Sequence, residues 1–181
     1  MTNETFELFF ALLTVATLMA VVAVMALGVI ARSSAQAASA LAAFAPFARP
    51  LAAAIATTCA LGSLYFSEIV NYTPCRLCWF QRTMMYPLAI ILVVSLIARD
   101  TKVWKYAVPL STVGIVIAAY HWFLERFPNL DAGVCDVEVP CEFVWFEHFG
   151  FVTLPFMALT GFIAVIVFTT ITKTQTQKEE S

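Results

Sequence analysis

The chain has 181 residues, of which 61% are hydrophobic and only 12% charged, with a mean hydropathy of +0.86. Soluble domains carry about 25% charged residues, so this composition excludes an ordinary soluble fold and points to a membrane protein. A net charge of -2 gives no field that would favour nucleic acid or an acidic substrate.

Gaps in the charge pattern locate the spans. Residues 8–31, 50–67, 83–98, 106–120 and 149–172 contain no Asp, Glu, Lys or Arg. With their flanks each supplies the roughly 20 residues that cross a hydrocarbon layer. The expected helices are therefore 7–30, 51–70, 80–98, 104–125 and 149–171, an all-α membrane protein. The first segment lacks a basic leader and is long for the core of a signal peptide, so it reads as a retained helix. The Ala-rich stretch from 35 to 56, interrupted by Pro46 and Pro50, reads as an inner-side connection into the second helix. The polar stretch TKTQTQKEES reads as a frayed tail.

Basic residues orient the chain. Arg32, Arg49, Arg99, Lys102 and Lys105 fall in the connections on one side, whereas Asp131, Asp136, Glu138, Glu142 and Glu147 crowd the 126–148 loop on the other. The positive-inside rule then puts the N-terminus and both cysteine-bearing loops outside the cell and the C-terminus inside. Arg76 and Arg82 run against that bias on the outer side and call for a reason.

Cys75 and Cys78 form a CxxC at the outer mouth of the third helix, and Cys135 and Cys141 lie in the second outer loop. Paired cysteines on the oxidising side of a membrane suggest disulfides, and the CxxC spacing suits reversible thiol–disulfide exchange. Structural bridges and a zinc site are the alternatives. A c-type haem attachment is excluded, because Trp79 follows Cys78 where histidine is required. With a helix starting near Trp79, Gln81 and Arg82 share a face with Cys78. A guanidinium there lowers a thiol pKa and hydrogen-bonds an oxygen that gains negative charge. A flat ring such as a quinone suits this place, with Trp79, Phe80 and Tyr86 as walls. Cys59, inside the second helix, reads as a small buried apolar residue.

Three ionisable groups near the outer ends complete the candidates. His121 and Glu125 are one turn apart and form a candidate proton relay or an interfacial pair. Glu68 is a candidate ion-pair partner for Arg82. Pro87 and Pro155 are expected to kink their helices, and Gly62, Gly114 and Gly161 to allow close packing.

The segments GSLYFSEI, PCRLCWFQR, YP at 86–87, VPC at 139–141 and FGFVTLPFMAL resemble the DsbB/BdbC family of bacterial membrane thiol oxidases, most closely its BdbC branch. The resemblance covers residues 51–170 and implies a four-helix redox bundle over 51–171. It leaves 1–50 as an additional N-terminal membrane helix with its connection, and 172–181 as a cytoplasmic tail. It implies a multi-pass protein of the bacterial inner membrane that regenerates an extracytoplasmic thioredoxin-fold thiol oxidase of the DsbA/BdbD kind and passes electrons to a membrane quinone, menaquinone or ubiquinone. Carried over residue by residue, Cys75–Cys78 is the quinone-proximal pair, Cys78 meets the quinone beside Arg82, and Cys135–Cys141 exchanges with the partner, Cys135 first. A vitamin K epoxide reductase-like enzyme and a non-enzymatic scaffold with structural disulfides are the alternative readings.

Overall fold

Five long helices carry nearly all of the chain. The computed structural model describes residues 3–131, 133–136 and 138–179, with side chains as far as Ile171. The helices are α1 (Asn3–Ile30), α2 (Ala35–Leu64), α3 (Arg76–Ile97), α4 (Trp104–Arg126) and α5 (Leu154–Glu179). All five are long and apolar enough to cross a bilayer. Helices α2, α3, α4 and α5 each touch the next and close into a four-helix bundle, while α1 packs from outside against α2 and α5. The chain is thus an all-α, multi-pass membrane protein with one helix added to a four-helix core.

The largest departure from expectation is α2. It begins at Ala35, not near residue 51, so the Ala-rich stretch is helix and not a connection. Ser34 caps it by accepting the Ala37 N–H at 3.4 Å, and alanine is the best helix former. Pro46 and Pro50 lie four residues apart on its exposed side, so their rings and the carbonyls they strip of donors face away from the core. Within membranes such losses are tolerated where neighbouring groups compensate. The opposite face, Ala48, Ala52, Ala53 and Ala56, is fully or nearly fully buried and shares the main core with Leu88, Leu92, Phe162, Val165 and Phe168.

Glycines set two of the helix contacts. A methyl group added at Gly114 of α4 would overlap the fully buried Phe162 ring of α5. At Gly161 an added carbon would lie 2.8 Å from the Cys59 sulfur. Pro155 sits in the first turn of α5, where no N–H is needed, so it starts the helix and does not kink it. Pro87, by contrast, is interior to α3. Helix α5 also continues through the polar tail to Glu179, where fraying was expected.

Both ends of the bundle are tied. At one end the Arg49 guanidinium donates to the Asp100 carbonyl at 2.7 Å. At the other, the start of α1, the 70–75 connection and the 127–153 loop come together through Glu7, which accepts from the Tyr72 hydroxyl at 2.5 Å and lies 3.8 Å from His148. That second end carries Cys75, Cys78, Cys135 and Cys141.

Candidate active site

The approach to the CxxC is irregular, and that irregularity places it. After α2 the chain makes one π-helical turn, Tyr65–Ile69, whose wider i→i+5 spacing rotates the following residues. Asn71 then takes a left-handed conformation, φ 63°, which asparagine tolerates better than most residues. Pro74 leads into Cys75, the N-cap of α3, which starts at Arg76 and not near Trp79 as expected. The Cys75 sulfur accepts the Cys78 backbone N–H at 3.2 Å. A helix N-terminus stabilises a thiolate held there.

The two CxxC sulfurs lie 2.7 Å apart, unbonded. Over them stands His121 of α4, almost fully buried. Its Nε2 lies 3.1 Å from the Cys141 carbonyl and 3.6 Å from the Cys75 sulfur, and its Nδ1 lies 2.9 Å from the Gln81 amide nitrogen. A carbonyl only accepts and an amide nitrogen only donates. The imidazole is therefore the tautomer with the proton on Nε2, pointing at the junction of Cys75 and Cys141. The Cys75 thiol is held well below its ordinary range by the Cys78 thiol hydrogen bond first, then by His121 and the Cys78 N–H, against the opposing effect of burial. Cys75, Cys78 and His121 place their ligand atoms within 4.8 Å of one another, yet both imidazole nitrogens are already engaged in hydrogen bonds.

Cys135 and Cys141 are joined in a disulfide. Cys141 is 1% exposed and shares an apolar cluster with Cys75, Leu77 and Leu124, whereas Cys135 is only half-buried. The loop folds back over the helix mouth, fastened by Arg76–Asp136 at 3.4 Å and by the Tyr120 hydroxyl donating to the Leu130 carbonyl at 3.2 Å. Cys141 is thus sealed against the CxxC, while Cys135, at the edge of the same cluster, is the more accessible sulfur of the pair.

Arg82 is buried, with Nε donating to the Ser63 hydroxyl and Nη2 to the Ser63 carbonyl, both at 3.0 Å. It does not pair with Glu68. The π-helical turn carries Glu68 to the exposed side, where it accepts from Ser67 at 2.9 Å. Trp79 and Phe80 are 54% and 44% exposed and line neither cavity of the site, so they are not its walls. Trp79 instead lies beneath the Arg82 guanidinium, 5.1 Å from ring centroid to carbon. Tyr86 does face inward, as expected.

Two cavities, each of about 240 Å³, meet at Cys78. The first runs between α1, α2, α3 and α5; it is mainly apolar, with Cys78, Gln81, Arg82 and Tyr86 on its wall. The second lies beneath the loop and is bounded by Cys75, Cys78, His121, Glu125, Pro140 and Trp145. His121 and Glu125 do share a face. Glu125 accepts from the Thr153 hydroxyl at 2.6 Å and lies 3.8 Å from Arg126. Thr153 is held by a tight turn bridged between His148 and Val152, with Phe149 and Gly150 at positive φ. Ser63, Thr153 and Trp145 escaped sequence reasoning. Only Ser63 carried a signal, as a hydroxyl next to Gly62 in a mostly apolar run.

A family model described as disulfide bond formation protein DsbB matches residues 45–172. Disulfide bond formation protein C of Bacillus subtilis is 43% identical over 116 residues, 63% of this chain and 83% of that protein. A probable disulfide formation protein C of Halalkalibacterium halodurans is 44% identical over 113 residues, 62% and 82% of the two chains. Probable disulfide formation protein C 2 of Bacillus anthracis is 37% identical over 130 residues, 72% and 93%. No solved structure matches significantly. The chain belongs to the DsbB family of disulfide bond formation proteins, and its two cysteine pairs make it a redox-active, disulfide-handling protein built on a membrane-spanning bundle.

Proposed function

We propose that this protein is a quinone-dependent thiol:disulfide oxidoreductase that reoxidises an extracytoplasmic thioredoxin-fold thiol oxidase. The observation that carries the reading is the position of Cys78, at the junction of a cavity beneath the cysteine-bearing loop, lined by Cys75, His121 and Pro140, and a second, apolar cavity that holds Arg82. Charge bias along the chain supports an outward-facing cysteine end, where the partner would be met.

The order of exchange follows from accessibility. A partner thiolate attacks Cys135, the outer sulfur, because in-line approach needs access. The bond to Cys141 breaks and Cys141 leaves as thiolate, buried beside Cys75. Resolution by the partner's second thiol releases the oxidised partner and leaves the loop pair reduced. Cys141 then attacks Cys75 of an oxidised CxxC, and Cys78 leaves. Cys135 attacks Cys141, the loop disulfide re-forms, and Cys75 leaves as a thiolate. The environment of Cys75 favours that last departure, since His121, the Cys78 thiol and the helix N-terminus all stabilise its negative form.

The residues around the first cavity fit a quinone. Its lining is largely apolar, and the Arg82 fork has N–H donors beyond the two that Ser63 occupies. A bound quinone supplies a two-electron, two-proton acceptor. Arg82 would hold an oxygen of the head group beside Cys78, and Gln81 keeps the His121 ring in register. His121 and Glu125, lining the second cavity one turn apart, are placed to carry protons released when the CxxC closes.

The test follows quinone absorbance with purified protein and a reduced thioredoxin-fold partner. Cys78→Ser and Cys135→Ser are both expected to abolish quinone reduction. Unchanged turnover in either variant would remove the relay and leave structural bridges, and turnover of a vitamin K epoxide in place of quinone would move the assignment to that chemistry.

A further inference from the structure

The additional helix α1 precedes the residues matched by the family model, 45–172, and yet it forms a wall of the first cavity. Phe10, Leu13, Thr14 and Thr17 all line it. They fall at positions i, i+3, i+4 and i+7, one face of one helix. Facing them across the cavity are Ala54, Ile55 and Thr58 of α2, and Met157 and Ala158 of α5. The same cavity continues to Cys78 and Arg82.

The shape of this space is informative. Phe10 to Thr17 covers about 10 Å along α1, and Ala54 to Ser63 about 13 Å along α2. That is longer than a two-ring quinone head. At the mouth α1 is clamped: Glu7 accepts from Tyr72 and faces His148, and Phe6 and Phe10 contact Tyr65 and Phe66 with centroids 4.6 and 5.4 Å apart. Phe10 also lies over Gly62, so closely that an added carbon there would sit 2.8 Å from the ring. Two turns below Thr14, Val21 rejoins the main core at 2% exposure. Between these two contacts Ala11 and Thr14 stay buried, and Leu13, 38% exposed, marks where the groove meets the lipid side.

We infer that α1 is the wall of a subsite for the prenyl tail of the quinone, so that the first isoprene units lie between α1 and the α2–α5 pair while the head group sits beside Cys78 and Arg82. The inference rests on the reading of the first cavity as the quinone site. It assigns α1 a role in selecting tailed over tail-free quinones, with Leu13 and Thr17 as the residues that set the fit. The clamp at Glu7, Tyr72 and His148 fixes the register of α1 against the cavity, with Glu7 and His148 outside its lining and Tyr72 at its mouth.

Two measurements on the full-length protein test it. In the first, a four-isoprene quinone carrying a diazirine on its first isoprene unit is photolysed with the wild type, and the labelled peptides are mapped. Label on α1 between Phe10 and Val21 is expected; label confined to other helices overturns the inference, whatever the behaviour of any variant. In the second, tail-free and four-isoprene forms of one quinone are compared, as a naphthoquinone pair and as a benzoquinone pair, in Leu13→Trp/Thr17→Phe. The KM ratio of tailed to tail-free quinone should rise roughly tenfold, because blocking even part of one isoprene unit forfeits the burial of two or more methylenes. An equal change for both forms, or none, overturns it. Arg82→Gln separates the two readings. If it raises KM for both forms while the α1 variant changes nothing, α1 alone is refuted. If it leaves both unchanged and the label avoids the first cavity, the quinone site itself is misplaced and both readings fall.

Discussion

Replacing His121 with phenylalanine removes the Nε2–H that lies 3.6 Å from the Cys75 sulfur and 3.1 Å from the Cys141 carbonyl, while keeping a flat ring in a site only 3% exposed. Hydrogen bonds to charged groups are worth about 1.5–3 kcal/mol, which corresponds to roughly 1–2 pH units in the titration of a thiol. The sign is fixed: Cys75 is held below its ordinary range, so losing a stabilising donor moves its titration upward. The reduced pair is destabilised by the same amount at neutral pH. Its reduction potential should therefore become more negative by roughly 30–65 mV. Alkylation of Cys75 by iodoacetamide, followed by peptide mass spectrometry across pH, reads the first effect, and equilibration with glutathione reads the second. His121→Gln, which keeps an N–H donor, should recover part of both. An alkylation profile in His121→Phe that superimposes on the wild type would refute the proposed stabilisation of the Cys75 thiolate by this histidine.

Gly114→Ala drives a methyl into the Phe162 ring, and overpacking of this kind costs about 1–3 kcal/mol. Gly28→Ala, with nothing within 4 Å of the added carbon, should be neutral or slightly stabilising in its helix; thermal unfolding in detergent separates the two. Tyr72→Phe leaves the buried Glu7 carboxylate short of a donor and should lower stability by about 1–3 kcal/mol. The Tyr72 phenol itself is pushed up to about 12 by burial first and then by the Glu7 hydrogen bond and charge. Because the folded form keeps a proton that the unfolded chain releases near pH 10, that contribution is complete below about pH 10 and is lost as pH rises from there toward 12. Ultraviolet titration should show one tyrosine ionising late. In the native oxidised protein, mild reduction followed by alkylation should modify half-buried Cys135 before fully buried Cys141; equal labelling would contradict the assignment of Cys135 as the outer sulfur.

Much of the architecture was legible because charge is scarce. Five charge-free intervals correspond to five helices, and the two cysteine pairs at one end follow from counting crossings. The errors have physical sources. Pro46 and Pro50 read as breaks, yet both lie on the outer face of a helix whose alanine face is buried, so tertiary packing outweighs their cost. Glu68 was expected to meet Arg82 on the assumption of regular helix geometry, and the π-helical turn at Tyr65–Ile69 carries it away. Trp79 and Phe80 adjoin Cys78 in sequence but point outward once α3 starts at Arg76. The contacts of His121 with Gln81, Cys75 and Cys141 bring together three separate segments. Nothing local in the sequence specifies such a meeting, although the buried ionisable character of His121 was itself a signal. The cavity wall supplied by α1 was equally hidden, because its residues are ordinary apolar and threonine positions of a membrane helix.

The proposed relay depends on one junction, the passage of a disulfide between Cys141 and Cys75. A double variant, Cys78→Ser with Cys135→Ser, removes the outer sulfur and the quinone-side sulfur and leaves those two free to pair. Oxidised gently, acid-quenched and mapped by non-reducing peptide mass spectrometry, it should hold a Cys75–Cys141 disulfide within single chains in most of the protein. Recovery of Cys75 and Cys141 as unpaired thiols under the same treatment would contradict the account.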